Sequence, residues 1–104
     1  MMATEKWILA FCLSGWVAAA LASEGRDVYK QTCAVCHSVS ARGAPKLGND
    51  ADWKVRLRGG RQALLHSVLS GRGAMPPKGG NASLSDAQAE AALDYMLSTM
   101  TSDR

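Results

Sequence analysis

Apolar residues follow two different rhythms along this chain. From Trp7 to Leu21 they run almost without interruption (WILAFCLSGWVAAAL), and beyond Ser23 they recur between polar residues at helical spacing. Four helical stretches are predicted in that second part. Glu24–Cys36 turns Val28, Cys33 and Cys36 to one side. Asp50–Leu57 is a short helix with an aspartate near its start and with Trp53 and Leu57 four apart, ended by Gly59-Gly60. Gln62–Ser70 gathers Leu64, Leu65, Val68 and Leu69 on one face and stops at Gly71. The last helix is the most clearly marked. Ser85 caps it, Gln88 three residues on completes a capping box, and Ala89, Ala92, Leu93, Met96 and Met100 follow at helical spacing. Residues 40–49 and 73–83 are loops by their Gly and Pro content. No stretch alternates as a strand does, so the expected fold is all-α.

The uninterrupted run has the parts of a secretory signal. Lys6 supplies a weak positive region, the apolar run follows, and Ala20-Leu21-Ala22 is an A-x-A cleavage site. A spanning helix wants about 20 apolar residues, and this run falls short of that before ending in small residues. Residues 1–22 are therefore expected to be a cleaved signal peptide and 23–104 one exported domain. The mature form is not expected to span a membrane. Bulky Phe11 before Cys12 argues against a lipoprotein site. Cleavage would remove Cys12 and leave two cysteines.

Those two carry the chemistry. Cys33-Ala34-Val35-Cys36-His37 is the Cys-x-x-Cys-His attachment motif of a c-type haem. Two thiols one helical turn apart reach the two vinyl groups of one porphyrin, and the following histidine is placed to ligate the iron. Other readings lack a part they need. Structural zinc wants four ligands, whereas one cysteine pair with His37 and His66 is available. A thioredoxin-like dithiol wants a βαβ context, and the residues before Cys33 are polar and helix-like. A Cys33–Cys36 disulfide would close too short a loop to stabilise much.

Size and charge narrow the picture further. A domain this small buries a modest core, and a covalent haem supplies a large apolar surface to wrap. The full chain carries 12 Lys and Arg against 9 Asp and Glu, net +3, too mild for a nucleic-acid binder. Lys54, Arg56, Arg58 and Arg61 cluster beside Trp53. They form either a solvated face or a docking patch for an acidic redox partner, where charge raises the encounter rate.

The second axial position of the iron decides between electron transfer and binding or catalysis. Candidates are His66, Met75, Met96 and Met100. Met75 sits in Gly73-Ala74-Met75-Pro76-Pro77-Lys78-Gly79-Gly80, a loop stiffened by two prolines that can hold a weak thioether ligand. Met96 and Met100 are most simply core residues, and His66 lies mid-helix beside an apolar face. Met75 is the favoured ligand.

With these residues in place, the chain from about Gly25 to Met96 resembles the small bacterial class I cytochromes c, in particular the cytochrome c-five group. The resemblance rests on Gly25-x-x-x-Tyr29, Cys33-Ala34-x-Cys36-His37, Gly43-Ala44-Pro45-Lys46-Leu47-Gly48, Trp53-x-x-Arg56, Ala74-Met75-Pro76-Pro77-Lys78-Gly79-Gly80, Leu84-Ser85-Asp86 and Tyr95-Met96. It implies about four helices wrapped around one haem c, with Cys33 and Cys36 as thioethers and His37 and Met75 as axial ligands. It also implies that the Pro45 carbonyl accepts a hydrogen bond from the other nitrogen of His37. Gly25 and Tyr29 would lie where the first and last helices cross, with Tyr29 packing towards Tyr95. Many members carry a second, disulfide-bonded cysteine pair after the Met-Pro-Pro-Lys loop. This chain has Asn81-Ala82-Ser83-Leu84-Ser85 there, which predicts a more labile Met–iron bond.

The function expected from these observations is that of a periplasmic monohaem carrier, passing single electrons between a respiratory donor and acceptor. Two rivals remain. One is a haem subunit of a periplasmic oxidoreductase, and the other is a haem-based sensor of diatomic gases.

Overall fold

The computed structural model describes Trp16, Val17 and residues 20–101. Most of the proposed signal, with Lys6 and Cys12, lies outside the described residues. No helix among the described residues is long and apolar enough to cross a membrane.

Four helices are described, with no strand among these residues. The first, α1, is α-helical over 20–28, loosens into a π-helical stretch at Tyr29–Cys33, and closes with an α-helical turn at Ala34–His37. The Ala34 amide donates to the Tyr29 carbonyl, so one extra residue enters the turn. Such insertions are frequent at functional sites, and this one immediately precedes the Cys-x-x-Cys-His motif. Helix α2 is Asp50–Arg56, started by Asn49, whose side chain accepts from the Asp52 amide at 3.1 Å. Asp50 and Asp52 fall in its first turn, where negative charge suits the helix dipole. A 3₁₀ turn, Leu57–Gly59, leads into α3, Arg61–Ser70. Another 3₁₀ turn, Pro77–Gly80, lies in the loop that the Gly and Pro content marks. Helix α4, Asp86–Ser98, begins with the expected capping box, Ser85 and Gln88 satisfying each other's backbone amides at 2.9 and 3.0 Å.

Helices α1 and α4 cross at the base of the fold. Gly25 is buried there, and a Cβ at that position would run into the Ala91 carbonyl, so only glycine permits the approach. One turn on, Tyr29 packs on Tyr95 with ring centroids 5.3 Å apart. The core gathers Tyr29, Trp53, Leu64, Leu93, Met96 and Met100. Met100 lies just beyond the end of α4 but remains buried. The chain then latches back onto α2, where the Thr101 amide and hydroxyl both donate to the Asp50 carboxylate.

Candidate functional site

The helices enclose a mainly apolar cavity of about 380 Å³. Its walls include Cys33, Cys36 and His37 from α1, Leu64 and Val68 from α3, Leu93 and Met96 from α4, and Met75 from the loop between the last two helices. Residues far apart in sequence thus meet around one space.

His37 is 8% exposed, and two contacts fix its ring. Its Nδ1 lies 2.9 Å from the Pro45 carbonyl. Proline offers an acceptor and no competing amide, so Nδ1 is the donor and Nε2 is left as the free, basic nitrogen. The imidazole also stacks on Trp53, with centroids 5.8 Å apart and planes within 20°.

The loop that presents Pro45 is itself held from α2. The Trp53 indole donates to the Lys46 carbonyl at 3.0 Å, the Asp52 carboxylate accepts from the Lys46 amide at 3.2 Å, and the Arg56 guanidinium donates to the Gly43 carbonyl at 3.1 Å. The Leu47 amide closes the circle on the His37 carbonyl at 2.7 Å. Helix α2 therefore acts as the jig on which the histidine is oriented. Trp53 and Arg56 were legible in the sequence as a motif, and the structure supplies the reason for their spacing. Asp52 and its bond to Lys46 carried no comparable signal.

Cys33 and Cys36 are both partly buried at the cavity wall. Burial pushes the Cys33 thiol up to about 11, which disfavours a thiolate and suits an uncharged sulfur such as a thioether. The Cys33 and Cys36 sulfurs are not paired with each other. No cluster of three or more His, Cys, Asp or Glu suited to a metal ion occurs among the described residues. A wide apolar slot with two cysteines, one oriented imidazole and two thioethers on its walls fits a haem and does not fit a bare cation.

The other ligand candidates separate by position. Met75 is partly buried and lines the cavity, and its loop is closed by a reciprocal pair of backbone bonds between Arg72 and Met75, both 2.9 Å. Met96 also lines the cavity, but it is 2% exposed and packed into the core. Met100 belongs to the core cluster away from the cavity walls. His66 is exposed and takes no part in the lining.

The basic cluster also divides. Arg61 turns towards α4, where it meets Glu90 at 2.7 Å and both oxygens of Asp94 at 2.8–2.9 Å, and those carboxylates raise its pKa further. Arg56 is engaged with Gly43. Lys54 and Arg58 are exposed on α2 and the turn after it, beside Val55 at 53% exposure.

Comparison with known proteins gives a consistent picture. Residues 20–96 match the family described as "Cytochrome C oxidase, cbb3-type, subunit III". Cytochrome c-555 of Chlorobaculum tepidum is 40% identical over 92 residues, covering 85% of each chain. Cytochrome c5 of Azotobacter vinelandii is 44% identical over 77 residues, which is 72% of this chain and 93% of the relative. Among solved structures, a chain from the "electron transfer complex of nitrite reductase with cytochrome c" superposes with a TM-score of 0.68 at 43% identity, covering 73% of this chain and 93% of that one. Fold and relatives together place the chain in the small monohaem class I cytochromes c, electron carriers with one covalently attached haem c that serve redox proteins rather than act as enzymes.

Proposed function

We propose that this chain is a periplasmic electron shuttle whose iron is held between His37 and Met75, with Cys33 and Cys36 as the thioether anchors. The observation that carries this reading is the His37–Pro45 bond at 2.9 Å, which leaves Nε2 of a buried imidazole free in a cavity that Met75 also lines. When bound, the haem supplies a one-electron couple whose potential is raised by thioether ligation. The polypeptide's part is to keep the ligand set from rearranging. The Pro45 carbonyl makes His37 the better donor, Trp53 stops its ring from rotating, and the two prolines after Met75 restrict the sulfur's excursions. Apolar walls from Leu64, Val68 and Leu93 keep water from the slot.

Residues 1–22 are proposed as the export signal, cleaved after Ala22. That compartment suits covalent haem attachment and a partner of the kind seen beside the related cytochrome, a nitrite reductase. Docking of an acidic partner is assigned to Lys54, Arg56 and Arg58. Arg61, already engaged by Glu90 and Asp94, has the smallest share. A steep fall in the rate of partner reduction with added salt supports this surface, and a flat salt profile removes it.

The matched family's description names an oxidase subunit, which keeps a second reading in view, that of a haem module resident in a larger complex. Relatives named as cytochromes and covered over 85–93% of their length favour the free carrier. Co-purification of a larger subunit would reverse that preference.

The deciding experiment is the far-red absorption of the purified ferric protein, where a Met sulfur on haem iron gives a weak charge-transfer band. A band that disappears in Met75→Ala supports the carrier reading. Its absence from the native protein points to an open or differently held iron and favours the sensor reading.

A further inference from the structure

We propose that Lys78 is the positioning residue for Met75, bracing the loop that carries the sulfur against the start of α4. This rests on the Met75 reading above and extends it.

The segment that follows Met75 is folded by turns of its own. The Gly79 amide donates to the Pro76 carbonyl at 3.1 Å, Asn81 to Lys78 at 3.1 Å and Leu84 to Asn81 at 3.2 Å, and the Asn81 side chain accepts from the Ser83 amide at 3.1 Å. Such bonds shape the loop without tying it down. The polar ties that lead out of it run from Asn81 to the Thr32 hydroxyl, at a long 3.4 Å, and from Lys78 to α4.

The second tie is the stronger one. The Lys78 ammonium donates to the Leu84 carbonyl at 2.8 Å and meets the Asp86 carboxylate at 2.9 Å. Its side chain is only 22% exposed, unusual for a lysine. A bond from a charged donor to a backbone carbonyl, shielded from water, exceeds an ordinary neutral one. Asp86 is 74% exposed, so its share is screened. The brace is mainly the bond to Leu84.

The backbone adds an independent argument. Lys78 adopts φ +54°, between Pro77 and two glycines at +64° and +88°. A left-handed conformation is unfavourable for any residue with a Cβ, and glycine would adopt it without strain. A lysine at such a position makes sense through what its side chain reaches. The turn also brings Gly79 against Thr32, where an added Cβ would sit 2.9 Å from the threonine methyl. The loop therefore lies close against the helix that carries the cysteines. Losing the brace lets the segment from Met75 to Ser83 open locally while the helices and the Ser85 cap stay folded.

The test uses the ferric holoprotein with imidazole as an external competitor for the Met75 position. Lys78→Met, which keeps an unbranched apolar stem, is expected to bind imidazole roughly tenfold more tightly, as loss of one charge-assisted bond favours opening. Its far-red band should fade at a lower temperature than in wild type, with the helical circular dichroism transition little moved. Asp86→Asn should stay within about twofold of wild type. Equal imidazole binding by Lys78→Met and wild type overturns the proposal. So does a parallel fall of band and helix transition, which would mean a general stability role. If Lys78→Met yields no holoprotein, Lys78→Gln, too short to reach Leu84, is measured in the same way. Exchange of the Gly79, Asn81 and Leu84 amides supplies a readout free of iron ligation and should quicken in the variant. If wild type lacks the far-red band, the Met75 reading fails, and amide exchange alone then upholds or overturns the brace.

Discussion

The loop after His37 and the loop around Met75 are alike in composition, both rich in Gly and Pro, yet they are held in different ways. The first is sewn to α2 at three places, through the Trp53 indole, the Asp52 carboxylate and the Arg56 guanidinium, and Trp53 belongs to the core. The second relies on its own turns, on Lys78 and on a long bond from Asn81 to Thr32. One side of the cavity is continuous with the hydrophobic core, and the other is a bracket fixed at its ends. On the proposed ligation, a carrier built this way should lose Met75 from the iron before it loses its fold, while loss of His37 should require unfolding.

The largest perturbation that could break this contrast is Trp53→Ala. It removes a core side chain, the stack on His37 and the bond to Lys46, and should cost about 4 kcal/mol. Chemical denaturation should show the helix signal and the haem spectrum moving together. If the histidine environment changes while the helices hold, the two sides are more alike than the structure indicates.

Next comes Met75→Ala, which should abolish the far-red band, lower the reduction potential and allow the ferrous protein to bind carbon monoxide. Its helical unfolding midpoint should change far less than that of Trp53→Ala. Potentiometry and thermal circular dichroism on the same sample check both halves.

A finer comparison uses matched caps. Asn49 caps α2 and Ser85 caps α4, and replacing either by alanine should cost about 1 kcal/mol. Asn49→Ala should leave the far-red band in step with global unfolding. Ser85→Ala, adjacent to Leu84, should let the band fade first.

The smallest effect lies outside both loops and serves as a control. The Tyr29 hydroxyl is buried without a hydrogen-bond partner among the described residues. Burial, then Tyr95 and Cys33, raise its pKa above 10.0. An unfolded chain ionises this tyrosine near pH 10 while the folded chain lags behind. Stability is therefore undiminished below that pH and falls above it. Tyr29→Phe should be near neutral at pH 7 and should flatten the alkaline decline seen in equilibrium unfolding.

Much of this was legible from residues alone. The helical spacing of Leu64 and Val68, or of Leu93 and Met96, reports directly which faces meet the cavity, and a capping box leaves a local signature at Ser85 and Gln88. The Gly25 and Tyr29 crossing and the His37–Pro45 bond came through family likeness, since no local rule reveals a contact between distant segments. The π-helical insertion at Tyr29–Cys33 left no trace, because one extra residue barely alters an apolar period read over so few positions. Arg61 was grouped with Lys54, Arg56 and Arg58 because density along a chain does not report direction. The turn at Leu57–Gly59 points it at Glu90 and Asp94 instead. The reach of Lys78 to Leu84 leaves no sequence signal for a similar reason, since a lysine in a glycine-rich loop ordinarily belongs to the solvent.

The crossing of α1 and α4 also sets a timetable. Gly25 stands near the beginning of the domain and Ala91 near its end, and they must touch for the base of the fold to close. A chain that emerges from its N-terminus presents Cys33 and Cys36 long before Ala91 arrives, so the thiols stay open to reaction throughout that interval. Once the crossing forms, Cys33 is partly buried and its thiol reluctant to ionise. The topology therefore puts the two cysteines early in the chain and part of the wall facing them, Leu93 and Met96, near its end.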